Sequence, residues 1–567
     1  MSFRIHSLLD AGLEKVAQLP VSGQLGVGAG ALLALALVYL LLPLLVVRKS
    51  ARLAGIIFTI QLGILTALFT WDALHLPEPR SGVFVVSHQL VRAEAALNLT
   101  LFVVCLLAMV VPPVLNWFEG GDFISFVAAR HVRAKKSGFL TVISLLSILG
   151  VSISSFALCA VISIMGGFGA DLKTKILNNN ANIRVDSPDA GGFEYWREML
   201  DAVRITPGVA AATSVAGGEV MASSSTTTAG VQLRGIDTSS FGAVVDVPRN
   251  MEVGTFDYLD DPFKLRNLPP DTPIGVGPGG ELYRKGPEPE YKKLSDEDAA
   301  PSDVYPGVVL GRELARSLHA YVGDELTLVS PMGDLGPMGL MPRSRKFRVA
   351  GIFYTGMYEY DASHAYVTLE AAQELLDLKH FVTSVDIRVK PEADVALITE
   401  DVKGAIARPE LKVRNWMEMN RNLFSALKLE KIATFIILSI AIAVASFCII
   451  CTLLLMVTEK SKEIAILKAM GASNQSILRL FMTEGMFIGG VGTLFGVATG
   501  YTSMKSLESF GIRLDPEVYY IERLPVTVEG GDYLLIALCA FLITTLATLY
   551  PARAASQLAP VDGIRYE

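Results

Sequence analysis

Long apolar segments and one long polar stretch divide this chain. Each of seven segments is apolar over roughly 20 residues, the length that a helix needs to cross about 30 Å of hydrocarbon. These segments lie at residues 25–47, 55–76, 95–116, 139–165, 433–457, 478–503 and 532–550. The polar stretch at 168–430 instead alternates short strand and helix patterns. The sequence therefore predicts a polytopic α-helical membrane protein of about seven spans, with a large α+β domain inserted between spans four and five.

Lysine and arginine residues near the span ends predict the orientation in the membrane. Basic residues cluster at 48–52, 130–136, 460–479 and 553–565. An odd number of spans places all four clusters on one side, and an excess of lysine and arginine in short loops marks the cytoplasmic side. Seven spans then put the N-terminus and the inserted domain on the outer side.

The same pattern divides the chain into four regions. Residues 1–120 carry three spans, and residues 121–167 hold the fourth span and the start of a helical stalk. Residues 168–430 form the inserted domain, which is long enough to bury its own core as two subdomains. Prolines crowd residues 257–306, which predicts an irregular excursion without long helices or strands. Residues 431–567 carry the last three spans, with a short helix between the first two of them.

Composition excludes several classes of protein. The chain has 567 residues, of which 51% are hydrophobic, and this is too apolar for a soluble protein of its length. All five cysteines lie in predicted spans, so we expect the inserted domain to fold without disulfide bonds. Cys448 and Cys451, one helical turn apart in an apolar span, indicate packing rather than a metal site. The net charge of −7 and the lack of a basic patch argue against a nucleic-acid partner.

The sequence carries none of the motifs that mark common catalytic sites. It has no GxxxxGK[ST] phosphate-binding loop, no HExxH zinc motif and no GxSxG nucleophile motif. Its seven histidines are scattered without ligand-like spacing. We therefore predict no catalytic residue, no metal site and no cofactor on this chain, and a membrane enzyme is the least favoured class. A chain of this kind that performs work needs a partner that supplies the energy.

A short charged segment after the fifth span predicts a docking helix. Residues 463–471 combine good helix formers with apolar positions, and Gly471 is placed to end the helix. An amphipathic helix held just outside the bilayer can insert into a groove of a soluble protein, although an inert helix on the membrane surface explains the same pattern. The residues predicted to couple this helix to a partner are Glu463, Ile464, Ile466, Leu467, Met470 and Gly471.

The sixth predicted span is rich in glycines that recur every three or four residues. Small residues at this spacing let membrane helices approach each other closely. Packing within one chain and dimerisation between two chains explain the pattern equally well. The glycines predicted to pack helices are Gly485, Gly489, Gly492, Gly496 and Gly500.

A segment rich in methionine, proline and glycine at 330–342 predicts an exposed partner-binding loop. Methionines form adaptable apolar surfaces that suit binding, and basic residues at 343–348 add a positive rim. A flexible connector without a binding role is the alternative. The residues assigned to partner contact are Pro331, Met332, Pro337, Met338, Met341, Pro342 and Arg345.

Several segments together resemble a known family. The charged segment 459–472, the glycine-rich sixth span and the ending Tyr550-Pro-Ala-Arg553 are similar to those of the FtsX/MacB-type (type VII) ABC transporter permeases. Ile164-Met-Gly-Gly-Phe168 and Val309-Leu-Gly-Arg-Glu-Leu314 extend the likeness to the LolC/LolE-type lipoprotein-releasing permeases. The resemblance covers residues 122–567.

This resemblance implies a permease of the bacterial inner membrane whose inserted domain lies in the periplasm. Two permease chains, either two copies or one copy and a paralogue, pair with a dimer of a LolD-like cytosolic ABC ATPase that binds the ATP and the magnesium. The complex extracts acylated lipoproteins from the membrane and passes them to a LolA-like periplasmic chaperone. The helix at 463–471 maps onto the ATPase-coupling helix, and the segment at 330–342 maps onto the chaperone-binding hook. Features of both LolC and LolE indicate a homodimer.

A lipid cavity completes the expected mechanism. We expect the acyl chains to lie between the outer halves of the fourth and fifth spans and their stalks, where apolar side chains can cover them. Closure of the ATPase dimer would push on the coupling helix and shut this cavity. The residues predicted to line it are Met165, Phe168, Leu172, Phe424, Leu427, Ile432 and Phe435.

Two features depart from the family pattern, and two other functions compete. The three N-terminal spans are additional and have no assigned role, and the excursion at 257–306 is longer than expected. A MacB-like exporter of periplasmic peptides or toxins would need an outer-membrane duct as its partner. An FtsX-like regulator of cell-wall hydrolases would contact an enzyme and would need no lipid cavity.

Overall fold

A computed structural model describes most of the chain. The first predicted span, at 25–47, lies outside the described residues, so the number of spans stays a prediction. The described residues are 51–76, 86–120, 123–132, 138–188, 191–265, 268–277, 281–286, 304–336, 339–514, 521 and 523–559.

Among the described residues, four helices precede the inserted domain: α1 (Ala51–His75), α2 (Val86–Glu119), α3 (Phe123–Val132) and α4 (Gly138–Asn179). The first, second and fourth are long and apolar enough to cross a membrane, whereas α3 is a short helix between two of them. Helix α4 continues without a break from its apolar part into the stalk, because residues 171–177 contain no helix-breaking proline or glycine.

The inserted domain, residues 180–420, is an α+β fold. Its strands are β1 (Ile183–Asp186), β2 (Val209–Ser223), β3 (Thr228–Ile236), β4 (Met251–Gly254), β5 (Pro273–Val276), β6 (Leu282–Arg284), β7 (Gly307–Gly311), β8 (Glu325–Gly336), β9 (Gly339–Phe353), β10 (His364–Thr368), β11 (Ser384–Val389) and β12 (Lys412–Asn415). Its α-helices are α5 (Trp196–Ile205), α6 (Thr238–Val244), α7 (Arg312–Leu318), α8 (Tyr358–Ser363), α9 (Leu369–Leu375), α10 (Val395–Ile406) and α11 (Trp416–Met419).

One mixed sheet runs through the whole inserted domain. Its strand order is β12-β1-β11-β2-β3-β10-β7-β9-β4, with β8 paired to β2 and β9. Strand β10 pairs parallel with β3, and β7 pairs parallel with β9. One hydrophobic core contains Phe241, Phe353 and Tyr366, and a second core contains Val203 and Val402. The two cores therefore lie on one continuous sheet rather than on two separate sheets.

In the described parts of the proline-rich region at 257–306, regular elements are short. Single 3-10 turns lie at Phe256–Tyr258 and Pro262–Leu265, and β5 pairs with β6 in a separate two-stranded sheet. Residues 287–303 lie outside the described part of the chain.

The loop predicted at 330–342 is wrong for its described residues, because 330–336 and 339–342 continue the two strands of the β8–β9 hairpin. The strands pair antiparallel up to the turn between them. Their register shifts between Ser330 and Asp334, and Pro331 lies in this irregular stretch, where its missing backbone N–H breaks no regular ladder. Dense proline and glycine indicated a loop, and only the pairing with the partner strand outweighs that local signal.

In the described part of the chain after the inserted domain, four helices follow: α12 (Arg421–Glu459), α13 (Ser461–Ala469), α14 (Asn474–Phe510) and α15 (Gly530–Gln557). Helices α4, α12, α14 and α15 pack together as a bundle, and α1 and α2 lie beside α14. Within the described residues, six helices are long and apolar enough to cross a membrane: α1, α2, α4, α12, α14 and α15.

Candidate functional site

Helix α13 lies between two membrane helices, at the end of the bundle opposite the inserted domain. It covers Ser461–Ala469, two residues earlier than the predicted range of 463–471. Gly471 follows in a left-handed conformation with φ of 100°, which favours glycine over every other residue. The hydroxyl of Ser473 then accepts a hydrogen bond from the backbone N–H of Ser476 and caps α14.

One face of α13 is buried in the bundle. Ile464 is 1% exposed, and it packs in a cluster with Val457 of α12, Phe481 of α14 and Ala552 of α15. The predicted coupling residue Leu467 is partly buried against the same cluster. A charge at Ile464 would therefore disrupt the packing of the bundle.

The opposite face of α13 is open. Ile466 is 54% exposed and Met470 is 80% exposed, and they lie one helical turn apart. Glu463 on the same helix is also exposed, and its carboxylate forms an ion pair of 2.6 Å with Lys460. The predicted coupling residues are thus divided between a packing face and an exposed apolar face with a charged edge.

A lysine that the sequence patterns did not single out joins α13 to the last span. The ammonium group of Lys468 donates hydrogen bonds to the backbone carbonyl of Ser556, at 2.6 Å, and to that of Leu558, at 2.7 Å. These carbonyls end α15, where the helix dipole also favours a positive charge. A cation in the last turn of a predicted docking helix was the available signal.

The five glycines of α14 form two packing faces. Gly485 and Gly489 lie against Thr548 and Thr544 of α15. Gly492, Gly496 and Gly500 instead lie against α4, where a methyl group at any of the three would meet atoms of Val151, Ser152 or Cys159. In this chain the glycines therefore serve packing between helices of one bundle, which was one of the two interpretations of their spacing.

The two adjacent glycines of the Met-Gly-Gly motif bring α4 against the connector, which we define as residues 511–529 between α14 and α15. A Cβ atom on Gly167 would overlap the backbone carbonyl of Pro525. Beside it, the backbone N–H of Thr527 donates to the carbonyl of Ser163 at 3.1 Å. The Ser163 hydroxyl also lies 2.8 Å from the Tyr533 hydroxyl. The Met-Gly-Gly motif therefore permits close backbone contact here.

The residues predicted to line a lipid cavity are distributed along α4 and α12. Phe435 packs inside the bundle beside Leu158, whereas Ile432 is exposed on α12. Phe424 makes an edge-on contact with Trp416 of the inserted domain, with ring centroids 5.2 Å apart. The other four residues are partly buried: Met165, Phe168, Leu172 and Leu427. The cavity itself stays a prediction.

The β8–β9 hairpin carries the residues assigned to partner contact. Pro331 and Pro342 are exposed where the hairpin leaves the sheet, and Pro337 and Met338 at its turn lie outside the described residues. The side chain of Arg345 forms an ion pair with Glu374 of α9 on the surface of the domain. The expected positive rim is therefore partly neutralised.

A polar cleft of about 760 Å³ lies on the sheet between the two cores. Asp386 is fully buried beside it and accepts hydrogen bonds from Arg184 at 2.8 Å and Arg234 at 2.6 Å. Burial raises the pKa of Asp386, but the two guanidinium groups outweigh burial and hold the pKa below its usual range. Burial lowers the pKa of His364 to about 3, and the charges of Arg234 and Arg184 add to that shift.

Two further charged residues in the membrane helices were not assigned from the sequence. Arg92 of α2 and Glu484 of α14 are both buried. A charge inside an apolar helix is itself the signal that would have identified them. Within the described ranges, we find no group of three or more histidine, cysteine, aspartate or glutamate residues that could hold a metal ion.

Comparisons with known proteins identify related sequences. Residues 435–560 match the family described as FtsX-like permease C-terminal, and residues 274–405 match the MacB-like periplasmic core domain. The lipoprotein-releasing system transmembrane protein LolC of Neisseria meningitidis is 31% identical over 453 residues, which cover 78% of this chain and 99% of that protein. LolC of Xylella fastidiosa is 30% identical and covers 78% and 98%, respectively. LolE of Haemophilus influenzae is 24% identical and covers 77% and 98%.

Proposed function

This chain belongs to the LolC/LolE family of lipoprotein-releasing permeases, and from that premise we propose that it releases lipoproteins from the bacterial inner membrane as the permease subunit of an ATP-driven complex. It is a multi-pass inner-membrane protein with a periplasmic domain. The observation that carries the proposal is the 31% identity to a LolC protein over 99% of that protein's length. The N-terminal helices lie outside the family match to the permease core.

The energy requirement explains why such a permease needs an ATPase. Each CH₂ group of an acyl chain favours the bilayer by about 0.8 kcal/mol. Withdrawing two or three acyl chains from the bilayer therefore has a large free-energy cost, and we infer that ATP hydrolysis supplies it. We assign ATP and magnesium to a LolD-like partner, because the sequence of this chain contains no phosphate-binding loop.

The exposed face of α13 is our candidate for the ATPase contact. Ile466 and Met470 present an apolar surface on the cytoplasmic side, and Glu463 adds a charged edge. Such a helix suits insertion into a groove on the ATPase. The buried face, through Ile464, would then transmit a displacement of α13 to the bundle, since the same cluster includes residues of α12, α14 and α15.

The periplasmic end of the bundle is our candidate for lipid extraction. Met165 and Phe168 flank Gly167, which contacts the connector, so a movement of α14 or α15 would reach these side chains through the same contact. Lys431 of α12 also pairs with Asp532 of α15 at 2.8 Å, which links the second stalk to the connector's end. The β8–β9 hairpin would receive the LolA-like chaperone.

Reconstitution of the complete reaction tests this function. Proteoliposomes would hold this chain, its cognate ATPase and a fluorescent triacylated lipoprotein, and we would follow transfer of the lipoprotein into a soluble complex with the chaperone. We expect transfer that requires both ATP and chaperone. ATP hydrolysis without transfer would contradict the proposal and would favour the exporter or the regulator.

Variants of α13 test the ATPase contact separately. We expect Ile466→Asp and Met470→Asp to abolish binding of the ATPase and ATP-driven release, while the purified chain keeps its thermal stability. Leu397→Asp is the matched control, because Leu397 is an exposed apolar residue of the periplasmic domain. Full ATPase binding by both α13 variants would remove this surface as the docking site.

A further inference from the structure

The N-terminal helices pack on the periplasmic end of α14. Ala73 of α1 and Ala95 and Ala96 of α2 form a buried cluster with Phe510, the last residue of α14. Small alanines allow α2 to approach closely, as is typical of helix contacts in membranes. The extension is therefore attached to the permease core at a specific place.

Two polar contacts strengthen this attachment just beyond the end of α14. The guanidinium of Arg92, which is 6% exposed, donates a hydrogen bond of 2.9 Å to the backbone carbonyl of Gly511. The side-chain carbonyl of Gln89 accepts a hydrogen bond of 2.8 Å from the backbone N–H of Arg513. The C-terminal end of a helix favours a positive charge, and a buried charge in a membrane helix is costly without such partners.

The same contacts reach α4 through the connector. Arg513 pairs with Arg523 as an isolated β-bridge, and the backbone N–H of Leu524 donates to the carbonyl of Ile512 at 2.8 Å. The following residue, Pro525, lies against Gly167 of α4. Helix α2 thus holds one side of the connector, and its other side touches α4 next to the predicted lipid-cavity residues.

The cytoplasmic end of α14 is attached as well. Ala128 of α3 is buried in the cluster that contains Ile464 of α13, and Ile124 and Val127 of α3 pack against that cluster. Helix α3 follows α2 directly in the chain and contacts it. The N-terminal helices therefore touch α14 at both ends, near the ATPase-facing helix and near the periplasmic connector.

We propose that helices α1–α3 form a brace that holds α14 at both ends and fixes the connector against α4, with Arg92 as its positioning residue. When α13 moves, α14 then carries the displacement to the connector, because the brace prevents α14 from tilting by itself. The brace rests on the proposed function, because its effect is on the amount of lipoprotein released per ATP hydrolysed. It gives the N-terminal helices a mechanical role in the permease.

Substitution of Arg92 tests the brace in the complete complex. We expect Arg92→Leu to lower the amount of lipoprotein released per ATP severalfold, because the hydrogen bond to Gly511 that holds α2 on the connector is lost, while ATP hydrolysis continues. Arg92→Lys should restore part of the loss, because it keeps a positive charge near Gly511. Leu97→Ala, at a residue of the same helix that is 48% exposed, should change nothing.

A cross-link test separates the contact from its consequence. Val91 and Leu507 pack against the same cluster. In a variant whose five native cysteines are replaced by serine or alanine, a short bifunctional maleimide should join the pair Val91→Cys and Leu507→Cys. We expect Arg92→Leu to reduce this cross-link together with release. A parent chain that fails to cross-link, or an Arg92→Leu variant with unchanged release per ATP, overturns the brace. A third outcome is that the parent chain cross-links but releases no lipoprotein, and that Arg92→Leu weakens the cross-link. The proposed function then fails, while the contact between α2 and α14 stands.

Discussion

Gly167 shows how one missing side chain decides a contact between distant parts of the chain. Its Cα faces the backbone of Pro525, and a Cβ at this position would overlap the proline carbonyl and the N–H of Val526. Backbone atoms cannot turn away as a flexible side chain can, so a larger residue must separate the connector from α4. The Met-Gly-Gly motif is thus explained by the distance between two backbones.

We predict that Gly167→Ala destabilises the purified chain by about 1–3 kcal/mol, the usual cost of overpacking. Gly169→Ala is the matched control, because no atom lies within 4 Å of a Cβ built at Gly169. Thermal unfolding in detergent measures both variants. Equal stability of the two would show that the connector does not press on α4.

We predict that His364 makes the periplasmic domain less stable at acid pH. Burial lowers its pKa to about 3, whereas an unfolded chain protonates histidine near pH 6.5. Below pH 6.5 the unfolded state binds more protons than the folded state does, so the free energy of unfolding falls as the pH decreases. Above pH 6.5 the contribution of His364 to the free energy of unfolding is fully retained. From pH 7 to pH 5 we expect a loss of up to about 2 kcal/mol.

We would measure this loss by urea unfolding, followed by the fluorescence of Trp196 and Trp416 in the inserted domain in variants that lack Trp71 and Trp117. His364→Gln should flatten the dependence between pH 7 and pH 5. An unchanged slope in this variant would assign the acid sensitivity to other groups.

Helix α13 shows what the sequence could and could not predict about an element. Its existence and its end just before Gly471 follow from local signals, namely good helix formers and a glycine. Which face is buried cannot be predicted locally, because the partners of Ile464 come from four other helices, α3, α12, α14 and α15, and lie as far away in sequence as Ala552. For the same reason the proline and glycine content of the β8–β9 hairpin predicts a loop, whereas the pairing of its strands is not a local signal.

We predict that Lys468→Met uncouples α13 from α15. The variant keeps the aliphatic stem but loses both hydrogen bonds to the final carbonyls of that helix. ATPase binding should persist, since Lys468 is not on the exposed apolar face, while lipoprotein release per ATP falls severalfold. Lys462→Met changes an exposed cation of the same helix and serves as the control. Equal release by the two variants would contradict the role of Lys468.

At the scale of the whole molecule, the proposed transmission runs in one direction, from the cytoplasmic side to the periplasmic side. The cytoplasmic α13, the bundle of α4, α12, α14 and α15, and the periplasmic sheet follow one another across the membrane. The apolar pattern predicts the helices of the bundle, and the short strand and helix patterns predict the α+β class of the inserted domain, because both signals are local. The continuous sheet under two cores could not be predicted, since β1 and β12 pair across more than 200 residues of sequence, as in the contact of Asp186 with Lys412.

The orientation of the N-terminus is the remaining test of this arrangement. The inserted domain is periplasmic, so α4 leaves the cytoplasm, and α1 must also start there if α1 and α2 both cross. A span at 25–47 then places the N-terminus in the periplasm. The test uses a variant whose five native cysteines are replaced by serine or alanine. We predict that Ser2→Cys reacts with an impermeant maleimide once the outer membrane is opened. Ser461→Cys should react only after lysis of the inner membrane. Protection of both positions until lysis would mean that residues 25–47 do not cross, and the chain would then have an even number of spans.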